Sequence, residues 1–338
     1  MTHGLAPGVT FEVADLGGGL RELDTGTAGM PHVTAGYLLD APRPTLVECG
    51  PSLSIAVVLE SLRRLGLEAG DLAYLVLSHV HLDHAGGAGD VAAAFPSATV
   101  VVSEVGARHL VDPERLNASS RRVYGSLYDT VYGDCTPIPA ERVRGIADGE
   151  VLDLGGGQRL ELLYTPGHAK HHIAAFEPDR GALFAGDSVG VRLPGMRTIR
   201  PATPPPDFDL GLALSTLARY RRLAPTALYL AHYGGVPDPQ QSLVEADEQL
   251  RLWADTAQAA IAEHDELEHV AETLGRRFAD SVPGADADAD ADADPLDVRR
   301  LALLSGVRSN AMGLHRYFDL RRQGRTAPVP GAAPGPSA

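Results

Sequence analysis

The sequence predicts an α+β protein in which two β-sheets pack face to face, with helices on the outer faces. Two sets of short apolar segments follow each other along the chain, and each set is interspersed with helical patterns. Because each sheet must bury an apolar face, two such sets favour two stacked layers of strands. A chain of 338 residues, 44% of them hydrophobic, is long enough to form a sizeable core.

The predicted elements follow from residue type and spacing. Runs rich in Val, Leu, Ile and Tyr, bounded by Gly, Pro or Asp, predict strands. The first set is Thr10–Leu16, Thr34–Leu39, Thr45–Cys49, Leu72–Ser78 and Ala98–Ser103. The second set is Glu150–Leu154, Arg159–Thr165, Ile173–Glu177, Ala182–Ala185 and Ala227–Ala231. Apolar residues three and four apart predict helices at Ser52–Leu65, Gly87–Phe95 and Asp209–Leu223.

Two segments interrupt this alternation. Residues 106–146 combine polar turns with three tyrosines and a helical part, and residues 190–208 contain three consecutive prolines, which favour extended chain. Segments of this kind either cover a site as a lid or are surface insertions. Both interpretations are open on the sequence.

The last hundred residues predict a different organisation. Residues 1–236 form the predicted catalytic domain, and 237–323 a helical extension that includes Gln240–Glu263 and a stretch from Pro295 to about Leu320. Within it, the five Ala-Asp pairs at 285–294 predict a solvated acidic linker. Residues 324–338, rich in Pro, Ala and Gly, predict a disordered tail.

The composition also limits the partners. The net charge of −15 disfavours nucleic acid and anionic membrane surfaces as partners. The N-terminal segment lacks the pattern of a secretory signal, and two cysteines are too few for a disulfide framework. We therefore expect a cytoplasmic protein in which Cys49 and Cys135 are inert thiols.

The strongest motif is His79-Val80-His81-Leu82-Asp83-His84, which directly follows a predicted apolar strand. Residues two apart at a strand end share one side, so His79 and His81 can face one metal ion. The chain then turns, which directs Asp83 and His84 to a neighbouring position. Imidazole and carboxylate are the usual protein ligands of zinc besides thiolate. The motif therefore predicts a metal site.

Three further candidates each follow a predicted strand. They are His168 in TPGHAKHH, Asp187 in FAGDS and His232 in LAHYGG. Singly each is weak, but the carboxyl ends of strands can collect side chains around one point. Seven candidate ligands are enough for two ions. The remaining histidines of TPGHAKHH, His171 and His172, are predicted to be a surface pair, and His109 either lines the pocket or caps a helix.

These four motifs, in this order, resemble the metallo-β-lactamase-fold hydrolase superfamily, and its glyoxalase-II-like branch in particular. The resemblance covers about residues 10–236 and implies an αββα sandwich with a two-metal site at one end of the sheets. It implies that His79, His81 and His168 bind one ion, that Asp83, His84 and His232 bind the other, and that Asp187 bridges them. Glu48-Cys49-Gly50 departs from the Asp-Thr-Gly of relatives, so Glu48 must contact the site differently.

The predicted activity is hydrolysis of an ester, thioester or lactone of a small molecule. Two zinc ions, or iron or manganese in their place, would activate a hydroxide, with Asp83 and Asp187 as catalytic carboxylates that steer it or transfer a proton. Binding of a glutathione thioester would need cationic side chains, for which Arg108, Arg121, Arg122 and Arg192 are candidates. The alternatives are a mononuclear-iron persulfide dioxygenase of the same superfamily and a metal-bearing binding protein without turnover.

Overall fold

A computed structural model describes residues 11–279, 295–304 and 306–327. Its first sheet holds seven strands in chain order, and the first four strands are antiparallel neighbours while the last four run parallel. They are β1 (Val13–Gly17), β2 (Leu20–Asp24), β3 (Ala35–Leu39), β4 (Thr45–Val47), β5 (Tyr74–Val76), β6 (Thr99–Ser103) and β7 (Val143–Ile146).

The second sheet holds six strands in the order β13-β12-β11-β10-β9-β8. They are β8 (Glu150–Gly155), β9 (Gln158–Tyr164), β10 (Ile173–Glu177), β11 (Ala182–Phe184), β12 (Ala227–Leu230) and β13 (Gly234–Gly235). All neighbours are antiparallel except β11 and β12. Helix α6 (Leu210–Leu223) connects this parallel pair, as a crossover requires.

The two sheets pack against each other through their apolar inner faces. Strand β6 shows how the alternation of side chains divides one strand between two cores. Its Val101 joins a cluster shared with Leu160 and Phe184 of the second sheet, whereas Val100 and Val102 join the cluster on the outer face of the first sheet. This arrangement confirms the predicted sandwich of two sheets.

Helices cover both outer faces. On the first sheet lie α1 (Ile55–Arg64), α2 (Leu82–Ala85), α3 (Ala88–Ala94), α4 (Glu104–Val111) and α5 (Glu114–Tyr124). The later helices are α6 (Leu210–Leu223), α7 (Pro239–Glu263), α8 (Leu267–Arg277), α9 (Pro295–Leu303) and α10 (Val307–Arg322). Apolar side chains of α6, α7, α8 and α10 form one buried cluster with β10, β11 and β12. The predicted extension after residue 236 therefore shares a core with the second sheet.

Several elements differ from the sequence prediction. Strands β2 and β7 were not predicted, because LRELD and VRGI carry charged residues in short segments. Helix α8 was also missed, since LEHVAETLGRR has few large apolar residues and buries only Val270 and Leu274. The stretch predicted from Pro295 is two helices, α9 and α10, rather than one.

Parts of the predictions lie outside the described residues. The Ala-Asp pairs at 285–294 do so entirely, and so does the tail after residue 327. Before that point the backbone amide of Ala327 donates a hydrogen bond to Asp209 Oδ2 at 3.0 Å, which ties the chain to the start of α6. Within the described ranges, no helix combines the length and apolar character needed to cross a bilayer.

Candidate metal centre

The first group of side chains lies where β5 ends and α2 begins. His79 Nε2 lies 2.8 Å from His81 Nδ1, and His168 Nε2 lies 3.1 Å from the same atom. His79 and His81 come from the segment after β5, and His168 comes from the loop after β9. The three nitrogens lie within 4.8 Å of one another, close enough for one metal ion. We call this group the first triad.

The second group lies beside it and is nearly closed to solvent. His84 Nε2 and His232 Nε2 are 3.2 Å apart, and Asp83 Oδ2 lies 3.6 Å from the former and 3.4 Å from the latter. His84 lies in α2, and His232 follows β12. We call this group the second triad. The sequence predicted both groups of residues, and the tertiary structure brings each of them together.

Asp187 lies between the two triads. Its Oδ1 is 3.4 Å from His84 Nε2 and 3.5 Å from His232 Nε2, whereas its Oδ2 is 3.6 Å from His168 Nε2. One carboxylate oxygen therefore faces each triad. Asp187 Oδ1 is buried and has no hydrogen-bond partner among the described residues, which is unfavourable unless a cation or a proton compensates it.

Three of the candidate imidazole ligands have a polar contact at the ring nitrogen that points away from the centre, and this contact fixes the orientation of the ring. His232 Nδ1 donates to Val33 O at 2.8 Å, and His168 Nδ1 donates to Ala202 O at 3.0 Å. His79 Nδ1 lies 2.8 Å from Ser78 Oγ. Such contacts leave Nε2 free to act as a ligand and hold the ring in one orientation. Neither Val33 nor Ala202 could be found by motif, because the contact uses a backbone carbonyl.

Glu48 lies beside the ring nitrogen of His84 that points away from the centre, Nδ1. The Glu48 carboxylate is 2% exposed and its Oε2 lies 3.6 Å from His84 Nδ1, with no hydrogen-bond partner among the described residues. Its backbone has a φ of 64°, in the left-handed region that non-glycine residues rarely adopt. The Glu48 side chain thus lies behind His84, a candidate ligand, on the side away from the centre.

His171 and His172 are buried, which makes the predicted surface pair wrong. His172 Nε2 accepts a hydrogen bond from the backbone N–H of Asp187 at 3.2 Å, and its Nδ1 lies 2.9 Å from Thr165 Oγ1. His172 therefore positions the backbone of Asp187. The missed signal was that His172 directly precedes β10, whose five residues are all buried.

The segment 106–146 contributes tyrosine and histidine side chains to the surroundings of the centre. Burial and the carboxylates of Asp83 and Asp187 raise the pKa of Tyr124 well above its usual value. Tyr128 instead donates a hydrogen bond to Asp134 Oδ1 at 2.5 Å. His109 is half-buried in the last turn of α4, and its ring lies 6.4 Å from that of His171. The hydroxyl of Tyr128 is thus held by Asp134.

Gly186 holds the backbone that presents Asp187. It has a φ of +52°, and a Cβ there would lie 2.6 Å from Ser78 Cβ and 2.7 Å from His172 Nε2. We expect Gly186→Ala to displace Asp187 and to lower the zinc content of the protein, measured by metal analysis. Gly157→Ala is the matched control, because Gly157 also has a positive φ but no atom within 4 Å of the added Cβ. Equal zinc contents in both variants would contradict the prediction.

The pKa directions divide the histidines into two groups. Burial lowers the pKa of six of them: His79, His81, His109, His168, His171 and His172. For His84 and His232 burial acts in the same direction, but Asp187 and Asp83 raise the pKa of both above the usual value. The negative charge that raises these two pKa values is also what would offset bound cations.

These shifts predict the acid stability of the metal-free protein. Unfolded histidines take up protons near pH 6.5, whereas the six with lowered pKa resist protonation, so acid favours unfolding. His84 and His232 act in the opposite sense, since their stabilisation is present below about pH 6.5 and is lost as pH rises through their raised pKa. Because that stabilisation is already complete below about pH 6.5, the other six histidines determine the change, and we expect the melting temperature of EDTA-treated protein to fall from about pH 6.5 to about pH 5.

The control for this measurement is His264→Ala, at an exposed position after α7, which should leave the pH dependence unchanged. A melting temperature that rises on acidification would show that the paired histidines dominate.

Comparison with known proteins decides the family. The sequence model of the metallo-beta-lactamase superfamily matches residues 29–232, which include all seven candidate ligands. The chain belongs to the metallo-beta-lactamase superfamily. This result confirms the resemblance found in the sequence and the αββα fold of this superfamily, here with a C-terminal helical extension.

Among relatives in the metallo-beta-lactamase superfamily, the metallo-beta-lactamase fold-containing protein ST1585 of Sulfurisphaera tokodaii is 31% identical over 228 residues. These are 66% of this chain and 80% of that protein. The solved structure of ST1585 has a TM-score of 0.64 at 25% sequence identity and covers 88% of this chain and 98% of its own.

Two enzymes of known type match over about half of their length. An N-acyl homoserine lactonase of Bacillus thuringiensis is 26% identical over 169 residues, which are 49% of this chain and 56% of the lactonase. A hydroxyacylglutathione hydrolase of Synechococcus sp. is 29% identical over 153 residues, which are 45% of this chain and 48% of the hydrolase. Metal binding and hydrolysis are thus typical of the superfamily to which this chain belongs.

Proposed function

We propose that the protein is a hydrolase that binds two divalent cations, with zinc as the first candidate, and cleaves an ester, thioester or lactone bond of a small molecule. The observation that carries this proposal is the position of Asp187, whose two oxygens face different triads. A site for one cation would not need the second triad, whose ligand atoms, like those of the first, all lie within 4.8 Å of one another.

The donor atoms fit zinc. Metal–nitrogen distances of about 2.0–2.1 Å in a tetrahedral site correspond to separations between ligand atoms of roughly 3.4 Å. Five of the six separations within the triads run from 2.8 Å to 3.6 Å, and all six lie within 4.8 Å. His79, His81 and His168 would hold one cation, Asp83, His84 and His232 the other, and Asp187 would contact both. The cations would supply Lewis acidity and would lower the pKa of bound water.

The chain's own carboxylates have distinct proposed roles. Asp187 balances the charge of both cations from a buried position. Asp83 is 8% exposed and one of its oxygens faces His232, so the other can accept a proton from water or return one to the leaving group. Burial would raise the pKa of Asp83, but His84 and His232 hold it below the usual range, which keeps the carboxylate ionised.

Relatives named as a lactonase and a hydroxyacylglutathione hydrolase support acyl substrates. We do not narrow the substrate to glutathione thioesters. Arg121, a candidate for binding glutathione carboxylates, pairs instead with Asp129 and Asp134. We also propose that the protein acts in the cytoplasm on a small molecule, without nucleic acid or membrane as a partner, as its acidic composition favours.

Metal analysis combined with a substrate panel tests this function. We expect about two equivalents of zinc per chain and turnover of at least one ester, thioester or lactone, with a phosphodiester as the negative comparison. One tightly held iron per chain, with oxygen consumption on glutathione persulfide, would favour the dioxygenase instead. Two zinc ions without turnover of any substrate would favour a binding protein.

A further inference from the structure

His171 lies next to the first triad without belonging to it. Its ring stacks on that of His79 at 6.0 Å and stands edge-on to that of His81 at 5.7 Å. We propose that His171 is a substrate-binding residue that donates a hydrogen bond from Nε2–H to a carbonyl or carboxylate oxygen of the substrate. This inference rests on the proposed function, because an acyl substrate supplies that oxygen.

A backbone contact selects which nitrogen of His171 carries the proton. The backbone N–H of Val80 points at His171 Nδ1 at 3.4 Å, so Nδ1 acts as an acceptor. A neutral imidazole has one N–H, and when Nδ1 accepts, the proton lies on Nε2. The carbonyl of His171 also accepts from Ser103 Oγ at 2.8 Å, which fixes the backbone to the start of α4. The ring is therefore held as a donor through Nε2.

That donor remains available. The residue as a whole is 8% exposed, yet its Nε2 has no hydrogen-bond partner among the described residues and is not among the buried polar atoms without one. An N–H in a largely buried side chain beside the first triad is suited to a ligand atom, because its hydration there is restricted. No acceptor among the described residues binds the Nε2–H of His171.

The neighbouring groups favour recognition by a hydrogen bond over recognition by charge. Lys170 Nζ pairs with Asp207 Oδ1 at 2.8 Å, so the two charges next to His171 offset each other. His109 faces His171 across 6.4 Å between ring centres. A neutral N–H that can only donate selects an oxygen acceptor beside this offset pair.

Butyrate, the carboxylate released from a butyryl ester or thioester, is the probe. We expect His171→Ala to raise the dissociation constant for butyrate on zinc-loaded protein at least about ten-fold, as measured by titration calorimetry, because a hydrogen bond to a carboxylate is lost. Zinc content should stay at the wild-type value. His171→Gln keeps an N–H donor and should recover most of the affinity, whereas the exposed control His264→Ala should bind like wild type.

Kinetics on the best substrate of the panel give the second measurement. Loss of the donor to the substrate oxygen should raise KM in His171→Ala. His171→Gln keeps an N–H donor and should reverse this change. An unchanged dissociation constant and KM, absence of butyrate binding to the wild type, or a loss of zinc that accounts for the weaker binding would each overturn the proposal. If butyrate binds in a His171-dependent way but no acyl substrate turns over, the donor assignment stands and the proposed hydrolase function fails.

Discussion

Asp187→Asn should lower hydrolysis by more than about 100-fold while the protein stays folded. Loss of a residue that only supports a metal ligand typically costs about 10–100-fold in affinity or activity, and a carboxylate that contacts both triads should cost more. The amide keeps the size of the side chain but loses the negative charge that offsets two cations. It also places an NH2 group where one oxygen now faces His84 or His168.

The measurement combines metal analysis, circular dichroism and turnover. We expect less than two equivalents of zinc in Asp187→Asn, with an unchanged far-ultraviolet spectrum. Asp179→Asn is the matched control. Asp179 is exposed in the turn after β10, so this substitution makes the same chemical change away from the centre. Two bound zinc ions and wild-type turnover in Asp187→Asn would show that Asp187 does not bridge.

Removal of α9 and α10 should abolish the folded protein. Five large apolar side chains of this part are at most 5% exposed: Leu301, Leu304, Leu314, Tyr317 and Phe318. At about 1.5–3 kcal/mol for each fully buried side chain, their burial contributes roughly 8–15 kcal/mol. That equals the whole unfolding free energy of a typical domain, about 5–15 kcal/mol. A chain that ends at residue 294 should therefore be insoluble or unfolded.

Specific contacts add to this expectation. Asn310 at the start of α10 accepts a hydrogen bond from the backbone N–H of Thr203 at 2.9 Å and donates to Pro201 O at 2.8 Å. These bonds fix the segment that carries Ala202, whose carbonyl orients His168. The comparison is a chain that ends at Ala327, which keeps the contact with Asp209 and should match the full-length protein in yield and melting temperature. A soluble, cooperatively unfolding chain ending at residue 294 would contradict the prediction.

The sequence determined the elements that depend on local pattern. The apolar runs placed ten strands close to their observed positions, and Gln240–Glu263 matches α7 within one residue. It also identified all seven side chains of the two triads and Asp187, because these residues follow strands and their types are those of metal ligands. Local spacing sufficed here, since the strands that precede these residues, β5 in the first sheet and β9, β11 and β12 in the second, end close together.

Only the tertiary structure decided which polar residues are buried and what they contact. His171 and His172 occupy a polar sequence that looks exposed, yet the packing of α4 and β10 encloses both. Glu48 reaches His84, and backbone carbonyls orient His168 and His232, across separations in the chain that no motif spans. The packing of the C-terminal helices against the second sheet likewise joins segments that are far apart in the chain. Burial depends on which segments meet in space, whereas hydrophobic period and residue type are properties of each segment alone.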